Sequence, residues 1–401
     1  MPDTVEDDGA AGGFVANRVL MTLIVAGVLG AALLPFASMA PNRLVSGQPI
    51  GILEALLPWQ WGALLALGGL ICLASLKRPF ASTAARIVVL AAAVPVLLLV
   101  LHGGGDYARR AVEAAGSPAA RVSLGAAFWI LVFAPVLMAL DAFLRLKAGL
   151  LSKVAYTVLM AGGVAALFWA GSFDDLSILR EYANRKDIFA GEMVRHLVLV
   201  AAALVPTLVL GLPLGLLARR KPGARGGVFG VLNFFQTIPS IALFGLLVVP
   251  LSALADAVPA LGDLGVSGIG AAPAIIALIL YSLLPVVRNT YAGFAGVPAA
   301  TIEAARGMGL TPRQVLWQVE IPLALPVILS GLRIVTVQAI GLTVVAALIG
   351  AGGLGTFIFQ GLGQYAIDLV LLGAIPTIVL AVAADFFLQI LVTLSKPEGT
   401  A

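Results

Sequence analysis

Apolar runs of bilayer-spanning length recur along the whole chain, at residues 18–40, 56–76, 86–101, 123–146, 151–171, 193–218, 228–253, 271–291, 323–349 and 367–394. A membrane-spanning helix needs about 20 mostly apolar residues and rarely fewer than about 17. Nine of the windows meet that length, and the sixteen residues of 86–101 fall just short. Hydrocarbon offers no partner to a free N–H or C=O, so spanning segments close their own hydrogen bonds as helices. The pattern predicts an all-α, polytopic membrane helical bundle of about ten transmembrane helices. Composition agrees, with 61% of residues hydrophobic and 11% charged, against about 25% charged in soluble domains. This excludes a water-soluble enzyme on a single anchor. With one cysteine, Cys72, and two histidines, His102 and His196, neither an intramolecular disulfide nor a Cys/His metal centre is expected.

The first thirteen residues, MPDTVEDDGAAGG, are acidic where a secretory signal is basic, and the apolar run after them is too long for a signal core. With the N-terminus placed in the cytoplasm, sixteen of the 24 Lys and Arg residues fall on inner segments, among them Lys77, Arg78, Arg219, Arg220, Lys221 and Arg225. The outer segments hold the other eight, Arg43, Arg109, Arg110, Arg121, Arg180, Arg185, Lys186 and Arg195. This asymmetry follows the positive-inside bias and predicts both termini in the cytoplasm, although a loop carrying Arg109, Arg110 and Arg121 runs against it. Spread over short loops, these charges leave no basic stripe for nucleic acid.

The segment 172–192, SFDDLSILREYANRKDIFAGE, is rich in charge and lacks an apolar run. It is predicted to connect an N-terminal membrane extension of about five helices, 1–171, to a second membrane block, 193–394, which is followed by a short tail, 395–401. The downstream spans hold Asn233, Gln236, Asn289, Arg333, Gln338 and Asp385 in or near them, while the upstream spans are mainly Ala, Leu and Val. A charge at mid-membrane costs roughly 2.5 to 3.5 kcal/mol on the insertion scale, so such groups face a bundle interior or an aqueous path. Function is expected downstream.

Between the eighth and ninth windows runs VPAATIEAARGMGLTPRQVLWQVEIPLALP, residues 297–326. Pro298 suits a first helical turn, and Gly309 can supply the positive φ of a helix end. Thr311 and Pro312 read as an N-cap and first position of a second helix, which Pro322 is expected to end. Two short helices on a turn make a docking element or, without a partner, an amphipathic helix at the membrane surface. Glu303-Ala304-Ala305, three residues, Gly309, nine residues and Val319-Glu320-Ile321-Pro322 reproduce the spacing EAA-x3-G-x9-I-x-L-P. The stretch resembles the EAA loop, 298–322 here, of the membrane-spanning subunits of bacterial ABC importers. Val319 and Ile321 are conservative apolar departures from it.

The resemblance extends over 192–394. The stretches NFFQTIPSIALFGLLVVPL (233–251), PAIIALILYSLLPVVRNTYAG (273–293) and VQAIGLTVVAALIGAGGLGTFIFQGL (337–362) look like the permeases for glycine betaine, carnitine, choline and related osmoprotectants. The upstream spans look like the extension of a long-form subset. This implies a type I importer core in the last five helices, placed in the bacterial inner membrane. It also implies three partners: an ABC ATPase subunit dimer, an extracytoplasmic solute-binding protein and a second permease copy, a homodimer being expected over pairing with a sister chain. No G-x-x-x-x-G-K-[ST] motif occurs, so the chain lacks a phosphate-cradling loop and is not expected to be an enzyme or to bind a cofactor. ATP and magnesium are expected on the partner ATPase. Glu303, Ala304, Ala305, Gly309, Val319, Ile321 and Pro322 would form the ATPase-coupling loop. Gln236, Tyr281, Asn289 and Gln338 are candidates to line the path of a small-molecule solute, with a helix-to-helix hydrogen bond as the equal alternative for each. An aromatic cage for a quaternary ammonium is not evident, the downstream aromatics being dispersed.

Two motif matches lack their structural context. Gly350, Gly352 and Gly355 spell G-x-G-x-x-G after an apolar helix instead of a strand, and His102 to Gly105 has no G-x-S-x-G partner. Two other functions compete with the importer. One is an ion-gradient-driven secondary transporter, which commonly shows paired repeats and mid-membrane carboxylates. The other is a non-transporting membrane scaffold or sensor.

Overall fold

The computed structural model describes residues 17–42, 45, 47–76, 83–117, 119–263 and 265–396. Of the features above, the acidic start, Arg43, Lys77, Arg78 and the last residues of the tail lie outside them. The chain divides into two compact units, Met1–Arg180 and Glu181–Ala401.

The first unit contains α1 (Arg18–Leu33), β1 (Ala37–Ala40), β2 (Gln48–Ile50), α2 (Ile52–Ala55), α3 (Pro58–Ala74), α4 (Thr83–Ala115), β3 (Arg121–Leu124), α5 (Ala126–Leu146) and α6 (Leu150–Trp169). Asn17 starts α1 twice over: its side-chain oxygen accepts from the Leu20 N–H, and its amide donates to Asp141 on α5 at 2.6 Å. Leu34 is extended before Pro35, as a residue preceding proline prefers, and the chain turns from helix to strand. The resulting three-stranded antiparallel sheet has the order β2-β1-β3, with Ser38 opposite both Pro49 and Ser123. It is a local addition to a fold that is otherwise helical, as expected, and strands of three or four residues are too short to show an alternating pattern in sequence.

Helix α4 runs 33 residues, well past the short window at 86–101. A Cβ on Gly103 would sit 2.4 Å from Leu56, and one on Gly105 would sit 1.9 Å from the Ser172 carbonyl oxygen. The glycine run after His102 therefore serves close packing. Arg109 and Arg110, expected in a loop, lie on the last turns of α4 and both donate to buried Asp106, at 2.8 and 3.2 Å. Gln60 also donates to Asp106, at 3.4 Å. One carboxylate is thus shared by two guanidinium groups, and Arg121, the third basic residue of this region, donates to the Ala119 and Ala120 carbonyls.

The second unit begins within α7 (Ser177–Arg220), kinked at Arg185, so the expected connecting segment is helical from Ser177 onward. It continues with α8 (Pro222–Thr237), α9 (Ser240–Ala257), α10 (Pro259–Asp263), α11 (Ala271–Ala295), α12 (Ala299–Gly307), α13 (Pro312–Val315), a π-helical segment (Leu316–Glu320), α14 (Ile321–Ala346), α15 (Gly355–Gly363) and α16 (Ile367–Leu394). The window at 228–253 is two helices, because Pro239 holds Ile238 extended and separates α8 from α9. Helices α11 and α14 pack together at the centre, with α16 against α14. Gly211 and Gly215 let α7 lie against α11, where a Cβ would come within 2.7 Å of Val286 and 2.5 Å of Thr290. Among the described residues eight helices have span length and composition, and α1 and α3 are shorter apolar helices.

Candidate functional site

The loop from α12 to α14 is built on buried apolar residues. Phe294, Val297 and Ala324 form its root, and Ile302, Leu316 and Ile321 pack onto them. Ala305 and Val315 are buried in turn. Both turns of the loop are capped. The Gly309 N–H donates to the Arg306 carbonyl at 2.9 Å and the Leu310 N–H to the Ala305 carbonyl at 3.2 Å, the paired bonds of a Schellman ending. Gly309 adopts φ 86° to make them. At the start of α13 the Thr311 N–H donates to Gln314 Oε1 at 2.8 Å while the Gln314 N–H donates to Thr311 Oγ1 at 3.4 Å, a capping box.

Pro322 does not end the second helix. The π-helical turn at Leu316–Glu320 leads directly into α14, and Pro322 sits in the first turn of that helix. A proline inside a helix removes one hydrogen bond and crowds the carbonyl four residues earlier. The wider π turn re-spaces the carbonyls there, so helix runs from Pro312 to Ile349. Val319 and Ile321 are half-buried and Pro322 is exposed. The outward side of the loop carries Glu303 and Ala304, with Met308 at 74% and Trp317 at 68% exposure. Sequence reasoning passed over Met308 and Trp317, since apolar residues in an apolar chain give no signal until their surroundings are known.

The four candidate path residues separate into groups. The Gln236 amide donates to the Tyr281 carbonyl at 2.5 Å, and the Tyr281 hydroxyl donates to the Ile238 carbonyl. Together they brace the break between α8 and α9 against α11. Asn289 donates to the Pro285 carbonyl at 2.9 Å and lies against Gly331 of α14. Gln338 is half-buried on α14, and no side-chain hydrogen bond is assigned to it among the described residues. Two further polar ties were not foreseen. Arg333 of α14 donates to Asp385 of α16 through two nitrogens, at 2.5 and 2.7 Å, and also to Gln389. At the turn after α14, Arg195 of α7 donates to the Ala351 carbonyl at 2.6 Å, and Glu192 accepts from the Gly353 N–H. The G-x-G-x-x-G run is this turn, with Gly350, Gly352 and Gly353 all at positive φ.

Residues 208–394 match the family of binding-protein-dependent transport system inner membrane components, and residues 17–179 match the N-terminal domain of ABC transporter permease YehY. The carnitine transport permease OpuCB of Listeria monocytogenes is 42% identical over 194 residues, 48% of this chain and 82% of that protein. The osmoprotectant import permease OsmW of Salmonella typhimurium is 42% identical over 205 residues, 51% of this chain and 90% of that protein. The chain belongs to the osmoprotectant-type ABC importer permeases. Within that family it is a long form, in which a second membrane unit precedes the permease core. The glycine betaine/carnitine/choline permease OpuCB of Bacillus subtilis is 40% identical over 205 residues, 51% of this chain and 87% of its own length. Among solved structures, a chain of the MetNI methionine ABC transporter in an inward-facing conformation aligns with TM-score 0.47 and 23% identity, covering 53% of this chain and 99% of that one.

Proposed function

We propose that this permease carries a small osmoprotectant, a quaternary or zwitterionic amine of the glycine betaine, carnitine and choline class, across the bacterial inner membrane on energy from ATP hydrolysed by a separate subunit. Residues 193–394 form the translocation core, 1–171 are the membrane extension, and both termini face the cytoplasm. Two copies of the chain pair around the path. An extracytoplasmic binding protein delivers the solute, and an ABC ATPase dimer holding ATP and magnesium receives α12 and α13 in a groove. Glu303, Ala304, Ala305, Gly309, Val319, Ile321 and Pro322 are the coupling loop, and Met308 and Trp317 add apolar contact area on its outward face. Gln338, Asn289, Gln236 and Tyr281 are polar groups of the path. Gln338 is the one of the four with no assigned bond to the chain among the described residues, which suits a group that meets solute.

The single observation that supports coupling most is the build of the loop. Its apolar root is sunk into α11 and α14, and its second helix enters α14 without a break. A push on the exposed face then moves α14 as a lever, and Gln338 with it. The test is uptake into vesicles holding the chain with its ATPase and binding protein. ATP-dependent accumulation is expected, and Gly309→Val is expected to abolish it while hydrolysis continues. Gradient-driven uptake by the chain alone would make it a secondary transporter, and no uptake under either condition would make it a scaffold.

A further inference from the structure

Behind the coupling loop lies a cavity of about 480 Å³, bounded by the end of α7, the start of α8, the end of α11, α12, α13 and the π turn. Three guanidinium groups line it, those of Arg219 and Arg220 from α7 and Arg306 from α12. Its one carboxylate is Glu320, which pairs with Arg220 at 3.4 Å. Arg219 and Arg306 face no carboxylate among the described residues, so three positive charges against one negative leave the wall at a formal +2. Apolar side chains such as Leu216 and Phe294 make up much of the rest. Helix α8 starts on the same wall at Pro222, and its first turn has no side-chain cap, which adds the partial positive charge of a helix start.

The three arginines are exposed at a cleft open to solvent; like charges gathered there repel each other, less where water screens them, and favour an anion between them. Guanidinium forks match the oxygens of a phosphate in pairs. The volume lies within the range of about 300–1,000 Å³ typical of small-molecule sites, larger than bare phosphate needs and apt for a phosphate with an ester substituent. We infer that this cavity binds a phosphate group, carried by an anionic phospholipid headgroup or by a soluble phosphate ester. Bridging Arg219 and Arg306, the phosphate ties α12 to the end of α7 and restrains the loop. That consequence for transport rests on the coupling role proposed above, whereas the binding itself does not.

The test uses the full chain in nanodiscs without an ATPase. Pyrophosphate is titrated calorimetrically into phosphatidylcholine discs, and in a second arm phosphatidylglycerol is mixed into the discs and its retention is read by native mass spectrometry. The double substitution Arg219→Gln/Arg306→Gln is expected to weaken binding by about tenfold or more, and Glu320→Gln, which removes the carboxylate, to tighten it. Arg313→Gln, outside the cavity wall, is expected to change nothing. Binding of pyrophosphate marks a soluble ligand, and retention of phosphatidylglycerol without pyrophosphate binding marks the lipid; either supports the site. Equal binding by the wild type and both cavity variants overturns it. So does acetate competing as strongly as pyrophosphate, which would point to an acidic side chain of the ATPase as occupant. Intact uptake in Gly309→Val would remove the coupling role and leave the binding result standing.

Discussion

At Gly309 the backbone, not the space around it, sets the requirement. Its φ is 86° and a Cβ there would meet nothing within 4 Å. A left-handed conformation costs most L residues about 1–2 kcal/mol, while Asn, whose short polar side chain can hydrogen-bond locally, adopts it more readily than other L residues. Gly309→Val is expected to open the turn and uncouple transport, and Gly309→Asn, no smaller, is expected to keep most of it. The measurement is solute accumulated per ATP hydrolysed in the vesicles, and equal loss in both variants would move the limit to side-chain volume in the docked complex. Gly105 presents the opposite case, since its helical backbone is ordinary but a Cβ would lie 1.9 Å from the Ser172 carbonyl oxygen. Gly105→Val is expected to cost about 1–3 kcal/mol through overpacking, seen as a lower thermal midpoint of the purified chain. Gly69→Val, at a site with nothing within 4 Å, is the control without that collision. Gly309 was legible in sequence because Thr311 and Pro312 mark a helix start directly after it. The glycines after His102 were not, because nothing local says which backbone passes beside them.

Elements were legible where their ends depend on local chemistry and obscure where they depend on neighbours. Pro298, Gly309, Thr311 and Pro312 bound α12 and α13 as their residue types require. Pro322 carries the same local signal, yet the π turn before it lets the helix continue, an adjustment that no residue in the run announces. The window at 228–253 read as one span because apolar residues continue through Pro239, although the two resulting helices are held by Gln236 and Tyr281. In sequence Arg333 and Asp385 are two polar residues 52 positions apart, and their pairing appears only when α16 folds back on α14. The pair ties the helix that would act as the lever to the next one. Arg333→Met and Asp385→Leu are each expected to lower stability, and the double variant to recover part of the sum. At 36% and 40% side-chain exposure the pair is far from fully buried, so its coupling belongs within the range of about 0.5–3 kcal/mol seen for contacting groups, lowered further where water reaches it. A thermal-unfolding double-mutant cycle measures it, and strict additivity would assign the two residues independent roles.

For the molecule as a whole, orientation decides whether the loop can reach an ATPase. On the expected outer segments Arg109 and Arg110 share Asp106, Arg180 faces Asp175 and Arg185 faces Glu181, and on the expected inner ones Arg145 faces Asp141, Arg220 faces Glu320 and Arg333 faces Asp385. On the expected inner side Arg219 and Arg306 face no carboxylate among the described residues, and Arg225 stacks on Tyr291 at 4.6 Å. The positive-inside bias counts Lys and Arg near span ends whether or not a carboxylate lies beside them, so these pairs leave the count of sixteen inner against eight outer residues as it stands. From Pro312 to Ile349 the helix runs 38 residues, about 57 Å at 1.5 Å per residue, enough to cross about 30 Å of hydrocarbon. The nine residues of α15 span only about 14 Å and cannot return across. Met308 and Tyr365, the latter 96% exposed after α15, therefore belong on opposite faces. In a Cys72→Ser background, Met308→Cys is expected to react with a membrane-impermeant maleimide only in inverted vesicles, and Tyr365→Cys only in right-side-out ones. Labelling of both from one face would break the proposed topology, and labelling of Met308→Cys from outside would leave the loop where no nucleotide-hydrolysing subunit could dock.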